Sequence, residues 1–235
     1  MLKYDALLTS SVNKLDQGRN VFLHYPSCDP LMDEVADHRK KIDIFFYGQY
    51  NGHVFELRRK YIEALIPFFK KKKISFEFAL LYYETERIKI NIPYLRRFKF
   101  AKEKVPTKKI AENFSPVLFG KDIYNKIAQS KIIFNISGGQ EQFGDYRFNM
   151  RIFETLGVGG FMLSDEGKYP PHLDPEKHFA TYASIDDLKQ KILKYLNDDN
   201  KREEIGARGL RAVKEKKKKK KQWENFQNII RLLDV

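Results

Sequence analysis

The rhythm of apolar and polar positions changes repeatedly along this chain, and each change marks an element. The stretch 42–48, "IDIFFYG", is a nearly continuous apolar run closing on glycine, which predicts a strand buried on both faces. From 54 to 69, "VFELRRKYIEALIPFF" is apolar at 54, 55, 57, 61, 62, 65 and 66, a helical period, and Pro67 predicts a frayed or kinked end. A strand follows over 74–83 ("ISFEFALLYY"), a short helix over 121–130 and a third buried strand over 131–137 ("KIIFNIS"). After the glycine-rich "GGQEQFGD" come a helix from Asn149, the strand "FMLS" and a short strand over 179–183. Ser184 has the character of an N-cap, with Asp186 and Asp187 suited to the first turn of the helix it opens. Helical stretches over 201–213 and 220–233 complete the chain.

Strands alternating with helices predict parallel strands joined by right-handed crossovers. The expected fold is α/β, a Rossmann-like doubly wound parallel sheet with a helical C-terminal extension. Three blocks follow: 1–40, the remnant of a preceding domain or a linker with two short strand candidates; 41–213, the α/β domain; and 214–235, a Lys-rich segment and C-terminal helix.

Bulk composition narrows the setting. The 235 residues suffice for one large or two small domains, and 42% hydrophobic with 14% aromatic content excludes a wholly disordered chain. The N-terminal residues lack a signal-peptide core and no run approaches bilayer length, so the expected compartment is the cytoplasm, with peripheral contact at the inner membrane face a further expectation. The lone Cys28 excludes an internal disulfide and a Cys-based zinc cluster, and the five histidines show no metal-ligand spacing. No metal site is expected.

The net charge of +13 favours anionic partners, but much of it is local. "KEKKKKKK" over 214–221 reads first as a solvated segment and second as a contact for nucleic acid or an acidic membrane. No nucleic-acid motif accompanies it, which ranks a nucleic-acid partner last. Trp223, Phe226, Ile229, Ile230 and Leu233 have helical spacing and suit a core or domain-docking face.

In open parallel sheets, ligands lie beyond the carboxyl ends of the strands. The segments "QYNGH", "GGQEQFGD" and "DEGKYPP" follow three such ends, and their glycines suit close backbone approach to an anion. Arg151 and Glu154, three apart on one helix, form either a surface ion pair worth roughly 0.2–0.5 kcal/mol or part of a ligand floor. Arg147, Asn149 and Arg151 stand near the positive end of the helix dipole, where bases are unfavourable unless an anion binds there.

The run "FNIS…DYRFNMRIFETLGVGGFMLSDEG", with "HFATYASIDDLKQKILKYLNDDNKREEIGARGLRAV", resembles the C-terminal, donor-binding domain of GT-B glycosyltransferases. More narrowly it is similar to the group-1, CgeB-like (spore-maturation-protein-like) branch, with its pattern N-x-R-x-F-E-x-L-x-x-G-G-F-x-L-x-D. The resemblance spans about 41–213. It implies one half of a GT-B fold and transfer of a hexosyl group from a nucleotide-diphosphate sugar, without a metal or other cofactor. It places Glu154 on the ribose hydroxyls. Arg151, with Arg58 or Arg59 and the Gly48 loop, are its candidates for the diphosphate; Asn149 belongs to the same motif, and Gly138, Gly139 and Glu141 lie toward the donor sugar. The spacing of Glu141 from Glu154 is longer than in retaining members, so no catalytic role is carried to it. The acceptor (glycan, lipid or protein) and the catalytic base remain unidentified. In a complete GT-B enzyme an N-terminal domain, or a partner subunit, faces this one. The rival expectation is a nucleotide-sugar-binding or interaction module without chemistry.

Overall fold

The computed structural model describes residues 7–9, 21–23, 28–50, 56–82, 106–137, 145–216 and 219–232. Near the N-terminus β1 (Leu7–Thr9) and β2 (Val21–Leu23) form a parallel pair. The main sheet has β3 (Ile42–Gln49), β4 (Phe76–Leu81), β5 (Phe114–Ser115), β6 (Ser130–Asn135), β7 (Met162–Asp165) and β8 (Ala180–Tyr182). All pairings are parallel, in the order β5-β4-β3-β6-β7-β8. The chain builds leftward from β3 to β5, then crosses back to β6 and builds rightward. The topological switch point therefore lies between β3 and β6.

Alternation along β3 sorts the core. Ile44 and Phe46 join α1 (Glu56–Lys72) and α5 (Ile185–Leu196) in one hydrophobic cluster, while Phe45 and Tyr47 join α3 (Lys121–Ala128) in another. A third cluster packs α4 (Met150–Gly157) against Met162, Tyr169 and Phe179. Helix α6 (Asp199–Lys216) links two of them, with Ile205 in the first and Val213 in the third. It closes tightly on the sheet's flank, since a Cβ at Gly206 would lie 2.6 Å from the Gly159 carbonyl oxygen. Within the first cluster, Phe46 stacks on Phe134 at 4.4 Å between ring centroids. Such pairs add about 0.5–1.5 kcal/mol beyond simple burial.

The doubly wound parallel sheet is as expected, with four local differences. Helix α1 continues through Pro67 to Lys72 without ending there. Ile66 and Phe69 on either side of the proline are buried in the core, and that packing outweighs the lost backbone hydrogen bond. Short α2 (Lys108–Ala111) and β5 were not anticipated. Gly157, Gly159 and Gly160 were expected together to end the helix from Asn149, but Gly157 still belongs to α4 and the chain turns at Gly159, with φ +79°. Finally, among the described residues none of α7 (Lys219–Leu232) joins the three clusters, so of the two expectations for Trp223, Phe226, Ile229 and Ile230, core or docking face, the first does not hold there. Tyr83, His53 and Leu233 lie outside the described residues. No helix among the described residues is long and apolar enough to cross a membrane.

Candidate functional site

Strand β3 pairs with β6 only as far as Phe45 and Ile133, although it pairs with β4 as far as Gln49 and Leu81. Beyond that point β3 and β6 part, and the Arg151 guanidinium fills the opening. Its Nη1 donates to Asn135 Oδ1 at 2.7 Å and its Nη2 donates to the Tyr47 carbonyl. Arg151 thus takes over a carbonyl that an uninterrupted ladder would have satisfied from β6. The side chain is 7% exposed and lies 4.4 Å over the Phe46 ring. Both acceptors are neutral, and Nε has no hydrogen-bond partner among the described residues. Burial lowers the pKa of the group.

Arg58 closes the same gap from α1. Its Nη1 donates to the Gln49 carbonyl at 2.9 Å and Nη2 to the Ile136 carbonyl at 3.5 Å, bridging the ends of β3 and β6. Burial, and next the charge of Arg151, push its pKa down to about 9. Gly48 lies between the two cations. A Cβ there would come within 2.7 Å of Arg151 Nη2 and 3.6 Å of Arg58 Nη1, and its φ of +143° is itself strained for any other residue. Arg59, the alternative to Arg58, takes no part. Successive helix residues diverge by about 100°, and Arg59 is buried on another side of α1, close enough to Tyr50 to lower its pKa against the raising effect of burial and Glu63.

Arg151 and Glu154 do not form the ion pair that their spacing allows. Half-buried Glu154 accepts instead from the Tyr47 hydroxyl at 2.5 Å through Oε2. Burial, followed by the Glu154 charge, raises the tyrosine pKa well above its ordinary value, so Tyr47 remains a donor. Asn149 is the N-cap of α4, accepting from the Ile152 amide at 3.3 Å. Its side-chain amide donates to Asn135 Oδ1 at 3.0 Å and Ser137 Oγ at 2.8 Å.

Asp165 was not singled out from sequence, yet it ties this end of the sheet together. Oδ1 accepts from the Ser137 amide at 2.7 Å, and Oδ2 pairs with Arg147 Nε at 2.7 Å. These two partners flank the segment that holds Gly138, Gly139 and Glu141, which itself lies outside the described residues. Arg147, expected near the helix dipole, is thereby matched by a carboxylate. Asn135 and Ser164 complete the cluster with a 2.9 Å bond, and the Tyr182 hydroxyl donates to the Asn135 carbonyl at 2.7 Å. The sequence signal was a polar residue ending each otherwise apolar strand: Asn135 in "FNIS" and Asp165 in "FMLSD". Among the described residues, no group of three His, Cys, Asp or Glu side chains is arranged to hold a metal ion.

A six-stranded doubly wound sheet with polar, cationic strand ends at its switch point defines the class: a Rossmann-like α/β domain of the kind found in GT-B glycosyltransferases. Residues 96–228, more than half of the chain, match the family model described as "Glycosyl transferase-like", and the chain belongs to that family. Sucrose-phosphate synthase from Thermosynechococcus elongatus superposes with a TM-score of 0.64 at 12% identity, covering 98% of this chain and 59% of that one. A variant of S. aureus TarM solved with fondaparinux, α-GlcNAc-glycerol and UDP gives 0.62 at 14% identity, covering 96% and 43%. The C-terminal domain of the group 1 glycosyl transferase LpcC from Francisella tularensis gives 0.50 at 15% identity, covering 83% and 96%. At these identities the likeness is one of fold, and the chain spans about half the length of the first two proteins. No curated protein matches it in sequence.

Proposed function

We propose that the carboxyl ends of β3 and β6 bind the diphosphate of a sugar nucleotide, and that the chain serves metal-independent hexosyl transfer from it. The observation that carries this reading is the convergence of the buried Arg151 and the half-buried Arg58 on Gly48 at the switch point, with backbone carbonyls and Asn135 Oδ1 among the oxygens they donate to. Two like charges so placed are stabilised by an anion, and the glycine lets a phosphate approach the backbone. Helices α1 and α4 add the positive ends of their dipoles on the same side. Arg58 is the diphosphate contact that the geometry favours over Arg59, with Arg151 behind it shaping the crevice.

Glu154 accepts from the ribose hydroxyls through the oxygen that Tyr47 leaves open. In the transfer, the bond between the anomeric carbon and the diphosphate breaks, and its electron pair passes to the phosphate oxygen. Arg58 stabilises that charge, while the acceptor oxygen bonds to the anomeric carbon and gives its proton to a base outside the assigned residues. The N-x-R-x-F-E pattern supports a place in the CgeB-like branch.

Calorimetric titration of a panel of UDP- and GDP-linked sugars tests the reading. One of them should bind, and Arg58→Gln and Glu154→Ala should each weaken it by about tenfold or more, the size expected for a lost charged hydrogen bond. Absence of binding by every donor, or binding indifferent to both changes, sinks the proposal. Binding without turnover on any acceptor would leave the donor site and make the chain a binding module.

A further inference from the structure

Helix α7 carries an apolar stripe that the described residues leave uncovered. Trp223 is 59% exposed and Ile230 38%, with Phe226 and Ile229 half-buried. At about 100° per residue, positions 223, 226, 229 and 230 fall within about 120° of arc. The Trp223 and Phe226 rings stack at 5.5 Å, so the stripe is a continuous surface. Glu224, Asn225, Asn228 and Arg231 occupy the rest of the circumference and are exposed.

A second feature says what covers it. Lys219, Lys220 and Lys221 precede the stripe on the same helix, within an unbroken lysine run that begins at Lys216. A second copy of the chain is a poor partner, because each copy brings the same lysines and a net charge of +13. Nucleic acid would match the lysines but offers little to Ile229 and Ile230. An anionic lipid surface meets both halves, headgroups to the lysines and the acyl boundary to the aromatic and aliphatic stripe.

We infer that α7 is a membrane-surface anchor that lies in the interfacial layer of bilayers containing anionic lipids. Trp223 is the only tryptophan in the chain, so its emission reports this one place. The full chain is mixed with vesicles of phosphatidylcholine alone or with one-third phosphatidylglycerol. The expected result is a blue shift and co-sedimentation with the anionic vesicles only, weakening about tenfold or more between 0.1 and 0.5 M salt. Replacing Lys219, Lys220 and Lys221 by Gln should lower partitioning about a hundredfold, with the thermal unfolding curve unchanged. Ile230→Asp should abolish the blue shift. The inference is overturned by unchanged emission with anionic vesicles, by equal binding to neutral ones, or by a blue shift that needs only concentrated protein or an added oligonucleotide. None of these outcomes bears on donor binding.

Discussion

The two ends of the main sheet place positive charge in different settings. At the amino ends of the strands, cations meet carbonyls and carboxylates. Lys40 donates to the Ala128 carbonyl at the end of α3, and Arg202 to the Tyr195 carbonyl in the last turn of α5. Lys131 pairs with Asp43 and Lys126 with Glu77, both at 2.8 Å. A cleft there is lined by Lys40, Lys131 and Arg202, but Asp199 and Glu203 line it too. At the carboxyl ends Arg147 likewise pairs with Asp165, while Arg151 donates to Asn135 Oδ1 and the Tyr47 carbonyl and Arg58 donates to the Gln49 and Ile136 carbonyls. Helix direction underlies the contrast, because in a parallel α/β sheet helix C-termini gather at the amino ends and N-termini at the carboxyl ends. The proposed diphosphate would therefore meet helix N-termini at the carboxyl ends and helix C-termini at the amino ends.

Four substitutions break or sharpen that contrast. Arg151→Met has the largest expected effect, since it strands the Tyr47 carbonyl in a buried place and removes one of the two donors to Asn135 Oδ1. A loss of about 3 kcal/mol in urea unfolding is expected. Gly48→Ala comes next: its Cβ meets the Arg151 guanidinium at a strained φ. It should cost about 2 kcal/mol by thermal unfolding and close the crevice to phosphate. Tyr47→Phe removes the hydroxyl from Glu154 and should cost about 1.5 kcal/mol. It should also narrow the preference for a ribonucleotide over its 2′-deoxy analogue, which competition titration would read. At the opposite end, Lys131→Met removes a partly exposed ion pair and should change stability by no more than about 0.5 kcal/mol. A loss there as large as that from Arg151→Met would erase the distinction between the ends.

The fold was legible in the sequence because strands buried on both faces read as apolar runs, and "IDIFFYG" and "KIIFNIS" are such runs. Helix α4 was legible from its period and from Asn149. The partners of Arg151 were not. Spacing on a helix puts Arg151 and Glu154 on one face, but the acceptors that draw the arginine away sit on β3 and β6, more than a hundred positions distant in the case of Tyr47. A strand pair that separates after Phe45 leaves no local mark. Asp165 escaped notice for the same reason, since its two partners come from separate places in the chain. Pro67 misled because local propensity favoured a helix end, whereas burial of Ile66 and Phe69 decided otherwise.

The most direct test of the central claim is a crystal structure of the chain grown with UDP at saturating concentration. The diphosphate should lie over Gly48 within hydrogen-bond distance of Arg58, with the ribose against Glu154. A diphosphate bound at the amino ends, among Lys40, Lys131 and Arg202, would contradict it.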